Sequence, residues 1–180
     1  SPYCFSILRS NNIQDGKMTF VDIAVRKITG IGILERKGLR TGDILVTTSS
    51  GSKDLLGKSA LFVQPSHGET YLFSNFTLRL RPKTEIIESF FLHFYLQSPR
   101  AKQTLTLLQD TTTGLRNLAR KEFLAQLIPV PPLATQQRIA SEHREKVARA
   151  EKLKEAIEKQ LEGIDALPHA ILRKAFRGEL

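Results

Sequence analysis

Gln126-Leu-Ile-Pro-Val-Pro-Pro-Leu-Ala-Thr-Gln-Gln-Arg138 divides the sequence into two chemically different parts. Pro129, Pro131 and Pro132 hold the chain extended, because each fixes φ, removes an N–H donor and disfavours α geometry in the residue before it. From Leu133 onward the composition turns to Ala, Gln, Arg, Glu, Lys and Leu, all strong helix formers. Leu133, Ala140, Val147, Ala150, Ile157, Leu161 and Ile164 then follow a heptad-like track, which Leu153 widens by one position. The other faces carry charges of both signs. Glu142–Lys146 and Glu155–Lys159 are favourable i,i+4 neighbours, and Glu151–Glu155 is an unfavourable one. Some thirty residues in this register predict a rod of roughly 45 Å. A stripe that narrow needs a partner helix.

Working outward from this stretch, Gly163 and Pro168 predict a break or kink between Ile164 and Pro168. Ala170 to Phe176 would then fold back as a short amphipathic helix. On the N-terminal side, Phe5–Arg9 reads as a strand, and Ser10–Gly16 as a polar turn reversing at Asp15-Gly16. Ile44 to Thr48 is an apolar strand entered by a turn at Gly42-Asp43. Thr47 to Ser59 is a polar loop, and Ala60 to Val63 a further strand. Phe73 to Arg81 alternates, with Phe76, Leu78 and Leu80 on one side and Thr77, Arg79 and Arg81 on the other, until Pro82 ends it. Glu85 to Gln97 is helical with a thick apolar stripe, and a second helix starts near Pro99. Asp110 to Arg116 reads as a loop of small hydroxyls, with Asn117 capping a short helix through Phe123.

The composition bounds the chemistry. At 180 residues the chain holds one packed domain plus an extended element. Its 41% hydrophobic and 25% charged content is that of an ordinary soluble protein. The single Cys4 excludes an intramolecular disulfide and a cysteine zinc site, and fits a reducing cytoplasm. No apolar run is long enough to span a membrane. The start at Ser1-Pro2, without methionine or leader, predicts a trimmed or internal fragment. Of the net charge of +9, residues up to Ile128 carry 17 Lys/Arg against 10 Asp/Glu (+7), and the remainder 10 against 8 (+2). This asymmetry suits a nucleic-acid-facing domain joined to a protein-facing rod.

No catalytic constellation stands out. His67, His93, His143 and His169 are scattered through different elements. Gly51 to Ser59 imitates a phosphate-binding loop, but five residues separate its glycines instead of four. A strand rather than a helix should follow it. Neither a cofactor nor a metal is expected.

Pro129 to Ala140, Pro-x-Pro-Pro-Leu-Ala-x-Gln-x-x-Ile-Ala, resembles the conserved region of specificity (S) subunits of type I restriction-modification enzymes. The tail Leu167-Pro-His-Ala-Ile-Leu-Arg-Lys-Ala-Phe-Arg-Gly-Glu-Leu180 is similar to the segment that ends such a region. The N-terminal Leu-Arg, Asn-Ile-Gln, Gly series, the Gly-Asp-Ile-Leu strand and the Thr-rich stretch before Asn117-Leu118 extend the likeness over the whole chain. The resemblance implies an α+β fold: a β-rich target recognition domain with peripheral helices over 1–128, then a conserved region over 129–180. That region would comprise a Pro-rich entry, a long spacer helix in an antiparallel coiled coil and a short C-terminal helix.

The same resemblance implies a non-catalytic subunit that reads one half of a bipartite site in double-stranded DNA. It would dock methyltransferase (M) and restriction (R) subunits, and meet a second S half or another copy of itself through the long helix. Residue chemistry nominates Arg9, Asn11, Asn12, Gln14, Ser50, Lys53, Lys58, Arg79, Arg81, Thr112 and Arg116 for DNA contact. Cations suit phosphates, while amides and hydroxyls suit base edges. The competing reading from the residues is a protein-interaction module with a β-rich domain and no role on DNA.

Overall fold

The computed structural model describes residues 3–28, 32–51, 55–65, 68–112 and 115–178. They form two compact units, Ser1–Gln137 and Arg138–Leu180. The division falls nine residues beyond the boundary expected at 128. The Pro-rich entry and the first helical turn therefore stay with the globular unit.

That unit begins with β1 (Tyr3–Leu8), a single 3-10 turn at Ser10–Asn12, and the short hairpin β2 (Ile13–Gln14) and β3 (Lys17–Met18). Asp15 (φ +48°) and Gly16 (φ +78°) form the hairpin turn. Both central residues lie at positive φ, the condition for a two-residue turn that matches strand twist. Next come β4 (Ala24–Ile28) and α1 (Ile33–Lys37), then β5 (Ile44–Thr47), β6 (Ser49–Ser50), β7 (Ser59–Leu61), β8 (Tyr71–Phe73) and β9 (Thr77–Leu80). The strand at Ser59 is what the spacing around the imitation phosphate loop predicts. The helices α2 (Ser89–Gln97) and α3 (Pro99–Leu107) precede a second hairpin, β10 (Gln109–Thr112) and β11 (Leu115–Leu118), and then α4 (Arg120–Leu124).

Three small sheets result, in the orders β4-β1-β8, β7-β5-β9 and β10-β11-β6, beside the β2-β3 hairpin. Among the described residues only β1 and β8 pair in parallel, with Ser6 opposite Tyr71 and Leu8 opposite Phe73. β5 lies between two cores, and its period of two decides which residue faces which. Leu45 joins Leu8, Ile13, Leu39, Ala60, Phe62 and Tyr71. Ile44 and Val46 join Leu56, Leu96, Leu105, Leu118 and Phe123. Each large aliphatic or aromatic group buried in this way contributes about 1.5–3 kcal/mol. α2 packs on β7.

Several expectations are corrected. α2 starts at Ser89 rather than Glu85, because the Glu88 carboxylate caps it by accepting the Phe91 N–H at 2.6 Å. α3 begins at Pro99 as expected, and the Ser98 hydroxyl caps it. The Thr-rich segment is not a loop. Its β-branched residues form strand β10, paired with β11 from Gln109↔Leu118 to Thr112↔Leu115. Asn117 accordingly lies within β11, and Ala119 is the cap of α4. Phe76 lies outside β9 in a turn and is 56% exposed, whereas Thr77 is fully buried.

In the second unit the helix α5 (Leu133–Arg177) runs through both Gly163 and Pro168. The expected break, and a separate helix over Ala170–Phe176, do not form. Proline costs about 3 kcal/mol in a helix interior. The Ala, Leu, Ile, Arg and Lys on either side favour continued helix, and a fold-back would need an apolar surface to land on. Along the expected seam Leu133 is half-buried and Ala140 is buried. Val147, Ala150, Leu153, Ile157, Leu161 and Ile164 are all exposed. Arg138–Glu142 at 2.7 Å and Lys154–Glu158 at 3.7 Å are exposed i,i+4 pairs, each worth about 0.3–0.5 kcal/mol.

Candidate nucleic-acid interface

The first nominated group sits around the 3-10 turn. Asn12 is fully buried and belongs to the fold. Its Oδ1 accepts the Arg9 backbone N–H at 3.0 Å, and its Nδ2 donates to the Val21 carbonyl at 2.9 Å. Both ends of the amide are engaged, so Asn12 has nothing to offer a base edge. Arg9 braces the same turn: its Nη2 donates to the Asp22 carbonyl at 2.9 Å and lies 3.7 Å from the Asp22 carboxylate. Asn11 and Gln14 remain exposed, with the Gln14 amide donating to the Asn11 carbonyl at 3.1 Å.

Arg79 and Arg81 do share one side of β9, but that side faces protein. Asp43 is 2% exposed, and its two carboxylate oxygens accept Nε and Nη2 of Arg81, each at 2.7 Å. This is bidentate geometry, the stronger form of the ion pair. Asp43 also accepts the Arg40 backbone N–H at 2.8 Å, closing the Gly42-Asp43 turn. The hydrogen bond to Asp43 raises the Arg81 pKa beyond its already high ordinary value. Arg79 donates to the Gly38 carbonyl at 2.6 Å and stacks 5.5 Å from the centre of the Phe73 ring. Burial pulls its pKa below the ordinary arginine range. Both arginines knit β9 to the α1–β5 connection, which engages their donors within the chain.

Lys58 lines a cavity of about 340 Å³ together with Asp15, Gly16, Gln97, Lys102 and Thr106. The turn beyond Gln14 and the end of the 51–58 loop therefore meet here. Gly57, at φ +76°, closes that loop. The positive φ favours glycine there, and a Cβ would come within 3.0 Å of Leu105 Cδ1, so that side chain would have to give way. Gln97 fixes the floor by donating to the Ser59 carbonyl at 3.0 Å and the Ser59 Oγ at 2.9 Å.

Ser50 and Arg116 are brought together by strand pairing. β6 and β11 run antiparallel with Arg116 opposite Ser50 and Asn117 opposite Ser49. Lys53 and the side chain of Thr112 lie outside the described residues. Asn75, Asn117 and Arg120, which the sequence reading passed over for DNA contact, border the same region. The signal was present in residue type alone. Their convergence requires the pairing of β6 with β11 and the bond from the Thr48 N–H to the Phe76 carbonyl. Among the described residues no three His, Cys, Asp or Glu side chains converge on a metal-sized site, and no helix is long and apolar enough to cross a membrane.

Comparison with known proteins agrees with this architecture. The family described as "Type I restriction modification DNA specificity domain" matches residues 4–162. The chain is 26% identical over 174 residues to the type I restriction enzyme EcoKI specificity subunit of Escherichia coli (strain K12), covering 97% of this chain and 37% of that protein. It is 29% identical to the StySPI specificity subunit of Salmonella potsdam, covering 97% and 36%. It thus spans little more than a third of these relatives. Among solved structures, it resembles a chain from a study of complex assembly and conformational transition of the type I R-M system. There the TM-score is 0.71 and identity 19%, with 97% of this chain and 43% of that chain covered. The HsdS subunit from Thermoanaerobacter tengcongensis matches with TM-score 0.61 and 22% identity, covering 85% and 38%. A β-rich unit followed by a long helix, matched over residues 4–162 in both of its parts, belongs to the family of type I restriction-modification specificity subunits.

Proposed function

We propose that this chain is a non-catalytic, DNA-reading specificity component: its globular unit reads one half of a bipartite site, and α5 serves as spacer and assembly helix. The observation that carries the reading is the family match running through both units. The +7 balance of the residues up to Ile128 and the open seam of α5 agree with it. The contact set contracts to Asn11, Gln14, Ser50, Lys58 and Arg116, with Lys53 and Thr112 kept on residue type alone. M and R subunits are the expected partners, and a cytoplasmic setting follows from them.

With one recognition unit and one helix in this chain, a second S half or a second copy completes the seam. Antiparallel pairing of two copies places identical readers on a twofold axis. The recognised site is then an interrupted palindrome. Inserting four residues near Lys154 widens its gap by about two base pairs, one helical turn being about 5.4 Å.

The test is duplex binding by the full chain across a salt series, with methylation mapping in the presence of an M partner. Lys58→Ala should weaken binding to all sequences alike and reduce the salt slope by about 0.9. Asn11 and Gln14 variants should change which half-site is preferred. Binding indifferent to salt would instead favour the protein-interaction module.

A further inference from the structure

A hollow of about 330 Å³ in the globular unit has a chemistry that the nominated contacts do not use. Three segments far apart in sequence build it: Thr48 and Ser49, Asn75 and Phe76, and Asn117, Leu118 and Arg120. Backbone bonds lock them together. Thr48 N–H donates to the Phe76 carbonyl at 2.8 Å, and Leu118 N–H to the Thr48 carbonyl at 2.9 Å. Arg120 Nη2 reaches the Thr77 carbonyl at 3.4 Å.

The walls are rich in donors. Asn75 Oδ1 accepts the Lys37 ammonium, a group that only donates, so the Asn75 Nδ2 donor is left over. Asn117 is half-buried between Ser49 of β6 and Asp110 of β10, and its side-chain amide makes no hydrogen bond to a described residue. Among the described residues the guanidinium of Arg120 makes a single long bond, which leaves its other N–H groups to donate. Among the described residues that line the hollow there is no carboxylate, whereas Asp15 lines the cavity beside Lys58. The 56%-exposed ring of Phe76 adds one apolar wall.

From this juxtaposition we infer that the hollow between the β6–β11 pair and the Asn75-Phe76 turn seats one phosphodiester of the DNA backbone. Asn75, Asn117 and Arg120 donate to its oxygens, and Phe76 lies against the neighbouring sugar. Neutral and cationic donors converging from two walls suit an anionic oxygen. The contact sets register and carries no sequence information. It rests on the DNA-reading proposal above and supplies an anchor apart from Lys58.

The test uses the full chain, several unrelated duplexes and a salt series. Asn117→Ala should weaken binding about tenfold on every duplex, as loss of a hydrogen bond to a charged group does. The isosteric Asn117→Asp should weaken it further by repulsion. Arg120→Gln should lower the salt slope by about 0.9. Unchanged melting of each variant shows that the fold is kept, and Asn75→Ala repeats the test from the opposite wall. If the unaltered chain binds DNA in a salt-dependent way while all four variants match it, the seat is wrong and the DNA reading stands. A loss confined to particular sequences would make the hollow a base reader and overturn the inference. Absence of salt-dependent binding by the unaltered chain would remove the DNA reading and this seat together.

Discussion

The two units treat their apolar residues in opposite ways. In the globular unit Leu8, Ile44, Leu45, Phe62 and Leu72 are at most 1% exposed, and β5 is covered on both sides by the chain's own residues. In the helical unit Leu153, Ile157, Leu161 and Ile164 are between 47% and 63% exposed, and Phe176 is 88% exposed. Both segments are rich in aliphatic groups, so composition does not separate them. The difference lies in what each pattern can reach. β5 is short and central, and neighbouring strands and helices fold over it. The stripe of α5 is narrow and long, and a straight rod cannot fold onto itself. The first unit completes its own core; the second leaves its apolar stripe exposed.

The largest expected effect tests the open seam. In a twofold dimer every seam position occurs twice, so Ile157→Asp removes two apolar groups and introduces two carboxylates. We expect about 3–6 kcal/mol of lost association. Light scattering should then show a dimer for the unaltered chain and a monomer for the variant, with the globular unit melting as before. An unaltered chain that stays monomeric at tens of micromolar would break the comparison, leaving the stripe for a different partner.

A somewhat smaller effect probes the closed unit. Arg81→Ala leaves the Asp43 carboxylate buried without its guanidinium, and we expect about 3–5 kcal/mol of lost stability in urea. DNA affinity of the folded fraction should not change. A stable Arg81→Ala protein that binds DNA poorly would restore Arg81 as a contact.

The smallest effect sharpens where one unit ends. Gln136 is fully buried: Oε1 accepts the Glu88 N–H at 2.9 Å, and Nε2 donates to the carbonyls of Ile86 and Pro131 at 3.0 and 2.8 Å. This one amide ties the Pro-rich entry and the first turn of α5 to the start of α2. Gln136→Ala should cost about 1–3 kcal/mol, with faster hydrogen exchange at the Glu88 amide. Exchange in α5 beyond Arg138 should stay as it was; acceleration there would show that the division at Gln137 does not hold in solution.

Much of this was legible from the sequence alone, because the forces involved act over a few residues. The Asp15-Gly16 reversal, the apolar run Ile44 to Thr47, the Pro99 helix start and the helix from Leu133 follow from φ preferences, side-chain branching and period. The family resemblance followed from a proline-rich entry and a C-terminal tail separated by one helix. Where short-range signals met a cost of a few kcal/mol they misled, as at Pro168, which α5 absorbs. Tertiary structure alone decided what each polar group faces. Alternation put Arg79 and Arg81 on one side of β9. Only packing placed Asp43, 38 residues away from Arg81, opposite that side. The same holds for Asn12, whose amide fits a base edge in principle and is consumed by its own turn. It holds also for the hollow, whose Ser49, Asn75, Asn117 and Arg120 meet because β6 pairs with β11 and Thr48 bonds the Phe76 carbonyl. Periodicity reports which residues share a face of one element, and long-range pairing determines whether that face meets water, a buried carboxylate or a ligand.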